Sequence, residues 1–219
     1  MNSIRNTSFE RLFAFMTKPW VVMMILGLVA ASFFWIDKPL AIAVYGGRFQ
    51  EKWPWLKLLT AFGKKSIYLV GFFAVALISR FLFQNKYWER ISWFLLSCIL
   101  VSSFVCLILK VLFGRARPEL YFSEQLYGFF GLQKNPLYWS FPSGHTTTAM
   151  AIVFGLSALF PRYMMGFILC GLLVAVSRIM LLQHYLSDVL MASYLVLIEV
   201  GFLYYWFSTR VLDNKRRIS

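Results

Sequence analysis

Charge is what this chain lacks most. Only 14% of its 219 residues are charged, and the nine acidic residues are outnumbered by 22 Lys and Arg. A soluble domain of this size carries about 25% charged residues. With 60% hydrophobic and 19% aromatic residues, the chain falls in the membrane class. Cysteine is scarce as well. Cys98, Cys106 and Cys170 all lie in apolar runs, which excludes an even-numbered disulfide framework and offers no metal-ligand spacing; they read as small buried hydrophobes. No basic run is long enough to form a nucleic-acid-binding segment, so the net charge of +13 points to anionic lipid head groups and not to nucleic acid. Internal repeats and low-complexity tracts are missing. Histidine occurs only twice, at His145 and His184, so imidazole chemistry is confined to those two positions. The length suits one domain, expected over residues 1–219.

Apolar runs are abundant. A helix needs about 20 apolar residues to cross a bilayer. Six segments meet or approach that length: Trp20–Ile36, Ser66–Phe83, Ile91–Leu112, Thr146–Phe160, Tyr163–Leu182 and Ser187–Phe207. The expected fold class is all-α, a polytopic membrane protein with six transmembrane helices. The first run follows Arg5, Arg11 and Lys18, as a secretory signal would. Phe33-Phe34-Trp35 after Ser32 is no small-residue cleavage site, so the run is expected to stay as a span.

Lys and Arg in the loops set orientation. With the N-terminus in the cytoplasm, eleven basic residues fall on each side. Four of the outer ones, Lys110, Arg115, Arg117 and Arg178, belong to polar clusters with a purpose of their own. Setting them aside leaves eleven inside against seven outside. Both termini are therefore expected in the cytoplasm. Two outer segments are long. Asp37–Lys65 mixes Trp and Lys and is expected to be an interfacial amphipathic stretch. Glu119–Phe141 is rich in Tyr, Phe and Trp, and reads either as an aromatic belt or as a mouth for acyl or prenyl chains.

Three polar clusters interrupt the apolar pattern, each at the outer end of a proposed span. They are Lys110 through Arg115 and Arg117-Pro118; Pro142-Ser143-Gly144-His145; and Ser177-Arg178 followed by His184 and Asp188. Ionisable groups at membrane depth are costly and are functional candidates by default. Two guanidinium groups (Arg117, Arg178) and the Lys110 ammonium can neutralise a phosphoryl group, the guanidinium through paired hydrogen bonds. Ser143, Gly144 and His145 stand where a helix begins, so their N–H groups and the helix dipole can face a phosphate oxygen. Gly144 permits close backbone approach. His184 and Asp188 are four residues apart and share a helix face, so Asp188 can orient His184 and stabilise its cation. That makes His184 the better nucleophile. His145 has no such carboxylate and is the better candidate to protonate a leaving oxygen.

These residues resemble the signature of the type-2 phosphatidic acid phosphatase family, within the histidine-dependent acid phosphatase and vanadium haloperoxidase superfamily. That signature is K-x(6)-R-P, then P-S-G-H, then S-R-x(5)-H-x(3)-D. It is met here from Lys110 to Asp188 without departure. The resemblance implies a six-helix membrane core and metal-independent hydrolysis of a phosphate ester, with no cofactor. By the same likeness His184 would form a phosphohistidine, Asp188 would orient it, and His145 would act as acid. Lys110, Arg117, Ser143, Gly144 and Arg178 would bind the phosphoryl group. Arg115 and Ser177 are accessory candidates, Arg115 either holding a second phosphate or snorkelling. The expected partner is a phosphorylated lipid in a bacterial-type inner membrane, met at its extracytoplasmic face. Undecaprenyl pyrophosphate, phosphatidylglycerol phosphate, phosphatidic acid and lipid A phosphates all remain open. So do a lipid phosphotransferase using the same intermediate and a non-enzymatic carrier on the same scaffold.

Overall fold

In the computed structural model, residues 7–216 are described, with side chains as far as Ser208. Arg5 and Arg217, and the side chains of Arg210, Lys215 and Arg216, all part of the charge count above, lie outside the described residues. Within them the chain is helical, with no named strand.

The helices are α1 (Ser8–Met16), α2 (Pro19–Ala31), α3 (Asp37–Gly47), α4 (Phe49–Lys52), α5 (Trp55–Ala61) and α6 (Lys65–Phe81). They continue with α7 (Lys86–Phe113), α8 (Pro118–Glu124), α9 (Gly144–Leu159), α10 (Met164–Met180) and α11 (Leu186–Arg216). One π-helical turn, Ser32–Ile36, joins α2 to α3 without a break. Pro39 explains the local irregularity, because it has no N–H to donate one turn back.

Four helical stretches are long and apolar enough to cross a bilayer: Pro19–Gly47, Lys86–Phe113, Pro161–Met180 and Leu186–Ser208. A fifth arises if α5 and α6, bent by 41° at their junction, count as one broken span. The chain is thus a multi-pass membrane protein with four to five candidate spans by length and composition. The expected fourth span, Thr146–Phe160, corresponds to α9, which at 16 residues covers only about 24 Å at 1.5 Å per residue. Its surroundings explain its tolerance of that length. Eleven of the sixteen residues are buried, packed among α7, α10 and α11, so protein and not lipid surrounds it.

The outward face is apolar in a way only lipid would favour. Met23, Phe34, Trp35, Val70, Phe104, Leu169 and Phe202 are all largely exposed. The core lies between α7, α9, α10 and α11, around Phe94, Leu95, Ile99, Met150, Phe154, Ile179, Val196 and Val200. Small residues let the helices approach. A Cβ on Gly155 would meet Leu95 at 2.7 Å, and one on Gly171 would meet Val153 at 2.9 Å. Cys98 and Cys106 are buried as expected, but Cys170 is exposed on α10, where it lines an apolar groove with Leu59, Tyr68 and Ile152.

The segment Asp37–Lys65, expected to be interfacial, forms the helices α3, α4 and α5. Its first third, α3, continues the first long helix. Its last third packs α5 against α10, while Trp53, Trp55, Leu58 and Phe62 stay exposed. The short α1 was not legible as a helix in the sequence. A capping box between Thr7 and Glu10 starts it, and Phe9 and Phe13 bury against α11.

Candidate active site

Alternation of helix direction brings the last turn of α7, the start of α9, the last turn of α10 and the start of α11 to one end of the bundle. The three polar clusters of the sequence occupy those four helix ends.

Lys110 sits in the last turn of α7, and its Nζ donates to the Trp139 carbonyl at 2.6 Å. Gly114 ends the helix at φ 54°, where a Cβ would also collide with the Gly131 carbonyl. Glycine is therefore required there. Arg117 then caps α8. Arg178 lies in the last turn of α10 and donates through Nη1 to Thr60 Oγ1 at 2.6 Å. The buried Nε of Arg117 and the buried Nε of Arg178 have no protein acceptor. Burial of such a donor costs about 1–3 kcal/mol when nothing accepts from it, so both are suited to an anion. For Arg117, burial lowers its pKa and the charges of Glu119 and Asp188 oppose that.

At the start of α9 the first intrahelical bond runs from Thr147 N–H to the Ser143 carbonyl at 2.9 Å. The N–H groups of Gly144, His145 and Thr146 precede it and are the ones a helix start leaves over. Ser143 departs from expectation. Its N–H is taken by the Asp188 carbonyl at 3.2 Å, and its hydroxyl accepts from Thr146 Oγ1 at 2.9 Å. Ser143 thus ties α9 to α11, and the N–H groups that the helix start leaves over begin at Gly144. A cavity of about 390 Å³ opens there, lined by Gly63, Lys64, Lys110, Trp139, Gly144 and His145 among others. Lys110, Arg117, Arg178 and Lys64 all lie within electrostatic reach of His145, and Lys110 and Arg178 within reach of His184.

His184 precedes α11 and is 3% exposed. Its Nδ1 lies 2.7 Å from the Ser140 carbonyl, against 3.7 Å from Asp188 Oδ2. A carbonyl can only accept, so Nδ1 carries the hydrogen and Nε2 keeps its lone pair. The Asp188 carboxylate acts one step further back. It accepts from the Ser140 hydroxyl at 2.6 Å and from the Tyr185 N–H at 2.8 Å. Ser140 is therefore the residue that sequence spacing missed: its hydroxyl is held by Asp188 and its carbonyl orients His184. Burial lowers the His184 pKa to about 3, outweighing the opposing influence of Asp188, which keeps the imidazole neutral at ordinary pH.

The two accessory candidates lie elsewhere. The Ser177 hydroxyl donates to the Val174 carbonyl at 2.6 Å, a bond within its own helix. Arg115 is fully buried and neither snorkels nor faces the cavity. It pairs with Asp188 and, at 2.7 Å, with Asp37. The aromatic segment after it supplies part of its lining, with Tyr127 and Phe129 beside the guanidinium.

Known proteins similar to this chain in sequence or in fold are phosphatases by name. The lipid A 1-phosphatase of Rhizobium etli is 35% identical over 107 residues, which is 49% of this chain and 46% of that protein. The undecaprenyl-diphosphatase BcrC of Bacillus subtilis is 45% identical over 71 residues, 32% of this chain and 35% of that protein. The match thus spans less than half the length of these curated relatives. In fold, the chain is similar to the crystal structure of a transmembrane PAP2-type phosphatidylglycerolphosphate phosphatase from Bacillus subtilis. The TM-score is 0.50 at 21% identity, covering 93% of each chain. The family model of the PAP2 superfamily matches residues 91–212, more than half of the sequence and a span that takes in all three polar clusters; the chain belongs to the PAP2 superfamily.

Proposed function

We propose that this chain is an integral-membrane lipid phosphatase working through a phosphohistidine. The observation that carries the reading is the neutral His184, with Nδ1 tied to a carbonyl and Nε2 left unprotonated, beside cationic donors that lack protein partners. In the first step the Nε2 lone pair attacks phosphorus. A P–N bond forms as the P–O bond to the lipid breaks, and the leaving oxygen takes a proton from His145, which enters the step as the imidazolium beside the bound phosphate and leaves it neutral. Lys110, Arg117, Arg178 and the N–H groups of Gly144 and His145 hold the three remaining phosphoryl oxygens, where charge concentrates in the transition state. Water then attacks phosphorus and gives a proton back to His145. The P–N bond breaks, inorganic phosphate leaves, and His184 is neutral again. Ser143 and Asp188 act by positioning in this scheme.

The substrate class is a phosphorylated or pyrophosphorylated membrane lipid. The relatives' names support lipid A phosphate, undecaprenyl pyrophosphate and phosphatidylglycerol phosphate as candidates. Counting the bent α5–α6 pair as one span and α9 as another gives six spans over one domain. Six spans put both termini on one side, the loop charges favour the cytoplasm for them, and the active site then opens to the extracytoplasmic side of a bacterial inner membrane.

The test is phosphate release by the purified protein in mixed micelles, against those three lipids and phosphatidic acid. Release from at least one, with no loss in a chelator, is the expected result. Binding without release from any of them would favour a carrier, and label passing to a second lipid would favour a phosphotransferase.

A further inference from the structure

Arg115 and Asp37 form a part of the molecule that the proposed reaction does not use, yet they are among its most deeply buried charges. Arg115, Asp37 and Asp188 all have side chains with no solvent exposure. The guanidinium divides between two carboxylates: Nη1 donates to Asp188 Oδ1 and Nη2 to Asp37 Oδ2 at 2.7 Å. Ser187 closes the ring. Its hydroxyl accepts from Arg115 Nη1 at 2.6 Å and donates to Asp37 Oδ2, while its N–H donates to Asp37 Oδ1 at 3.1 Å. Phe33 and Tyr185 lie 4.9 and 4.6 Å from the guanidinium carbon, contributing to an aromatic enclosure that shuts out water.

Charge explains why the three belong together. Two carboxylates held close in a dry site repel, and one would take up a proton unless a cation lay between them. Arg115 is that cation. Burial by itself would lower its pKa, but the charges of Asp188 and Asp37 outweigh burial and raise it. Removing one member of such a group leaves an uncompensated buried charge, which disturbs the site far more than removing the group as a whole.

The chain reaches this point from distant places. Asp37 directly follows the π-helical turn Ser32–Ile36, a feature that often marks functional positions. The same turn offers its Phe33 carbonyl to the Tyr127 hydroxyl at 2.5 Å. Arg115 comes from the loop after α7, and Asp188 from the start of α11.

We infer that Arg115 and Asp37 are positioning residues: they clamp Asp188, which fixes Ser140 and through the Ser140 carbonyl sets the tautomer and aim of His184. This rests on the phosphohistidine reading for its consequence in catalysis, but not for its consequence in geometry. Arg115 never touches substrate, so its loss slows the chemical step and leaves binding alone.

The experiment uses the full chain in micelles, with the variants Arg115→Gln, Asp37→Asn and the double variant. Arg115→Gln is expected to lower kcat by about 100-fold, the scale of loss from a small misplacement remote from the chemistry, with KM little changed. Asp37→Asn is expected to lower kcat less. The double variant is expected to recover part of the loss, because it removes the carboxylate that Arg115→Gln leaves unpaired. Nitrogen-15 NMR of labelled histidine reads the geometry without turnover, and only two histidines contribute. Wild-type His184 should show the Nδ1–H form, Arg115→Gln a tautomer mixture, and the double variant a partial return, with His145 unchanged. A raised KM without a fall in kcat would make Arg115 a substrate ligand and overturn the clamp. An unaltered His184 tautomer in both single variants would overturn it as well. If Arg115→Gln does not fold, Asp37→Asn carries the test through the same two readouts. If wild-type protein releases no phosphate, the phosphatase reading fails and the tautomer series still decides the clamp.

Discussion

At the residue scale the proposed reaction divides the labour between His184 and His145. His184 lies outside the spans, and burial holds its pKa at about 3. A group with a lowered pKa stays neutral, and so nucleophilic, at every pH well above that value. Phosphoenzyme formation in single-turnover measurements is therefore expected to show no acid limb from His184 between pH 5 and 8, on the scale of an ordinary imidazole at about 6.5. His184→Ala should abolish turnover and the acid-labile phosphoenzyme together; turnover that persists would remove His184 from the role of nucleophile. His145→Ala should harm lipid phosphates more than aryl phosphates, whose leaving groups need no proton, and steady-state rates on both substrate types check this. Ser140→Ala tests the residue that links Asp188 to the ring. It deletes the hydroxyl bonded to Asp188 Oδ2 at 2.6 Å and keeps the carbonyl that meets His184. A buried hydrogen bond to a charged group contributes about 1.5–3 kcal/mol, so a loss of that size, measured by thermal unfolding and by kcat, is expected.

At the scale of elements, the site depends on where helices end. Lys110 and Arg178 close α7 and α10, while Gly144 and Leu186 open α9 and α11, so the groups proposed to bind phosphate and the helix termini coincide. That coincidence is readable in the sequence, because glycine, proline and charge punctuate apolar runs. The contribution of α5 is not readable. Thr60 reaches Arg178 at 2.6 Å from a segment expected to lie on the membrane surface, and Thr60→Val should lower kcat and kcat/KM together in steady-state assays, because it loosens a group proposed to hold charge in the transition state. Packing makes its own demand. Gly155 stands on α9 where any Cβ meets Leu95 at 2.7 Å. Overpacking a core costs about 1–3 kcal/mol, so Gly155→Leu should lower the unfolding temperature in detergent and take activity with it, since α9 carries His145.

The whole molecule is a bundle whose three polar sequence clusters meet at one end. The proposed orientation makes a direct prediction. Lys134 is exposed on the loop that precedes α9, and Gln84 is exposed at the opposite end, between α6 and α7. In intact cells a membrane-impermeant thiol reagent should label Lys134→Cys and spare Gln84→Cys; the reverse pattern would invert the topology.

Periodicity and composition reach a definite point in this protein. Long apolar runs with few charges read as helices in lipid, since only a helix satisfies its backbone within a single segment there, and polar residues at their ends are costly enough to demand a purpose. The helical class, the polar clusters and the unequal histidines all follow from that local logic. Ser140, Thr60 and Asp37 do not, because serine, threonine and aspartate at a span end or in a loop carry no periodic signal. Asp37 lies 78 residues from Arg115 and 151 from Asp188 in sequence, and only helix packing closes those separations. Arg115 shows the same limit. A lone arginine beside a span looks like a snorkelling side chain or a phosphate ligand, and burial between two carboxylates becomes visible only when the first long helix, the loop after α7 and the start of α11 meet in space.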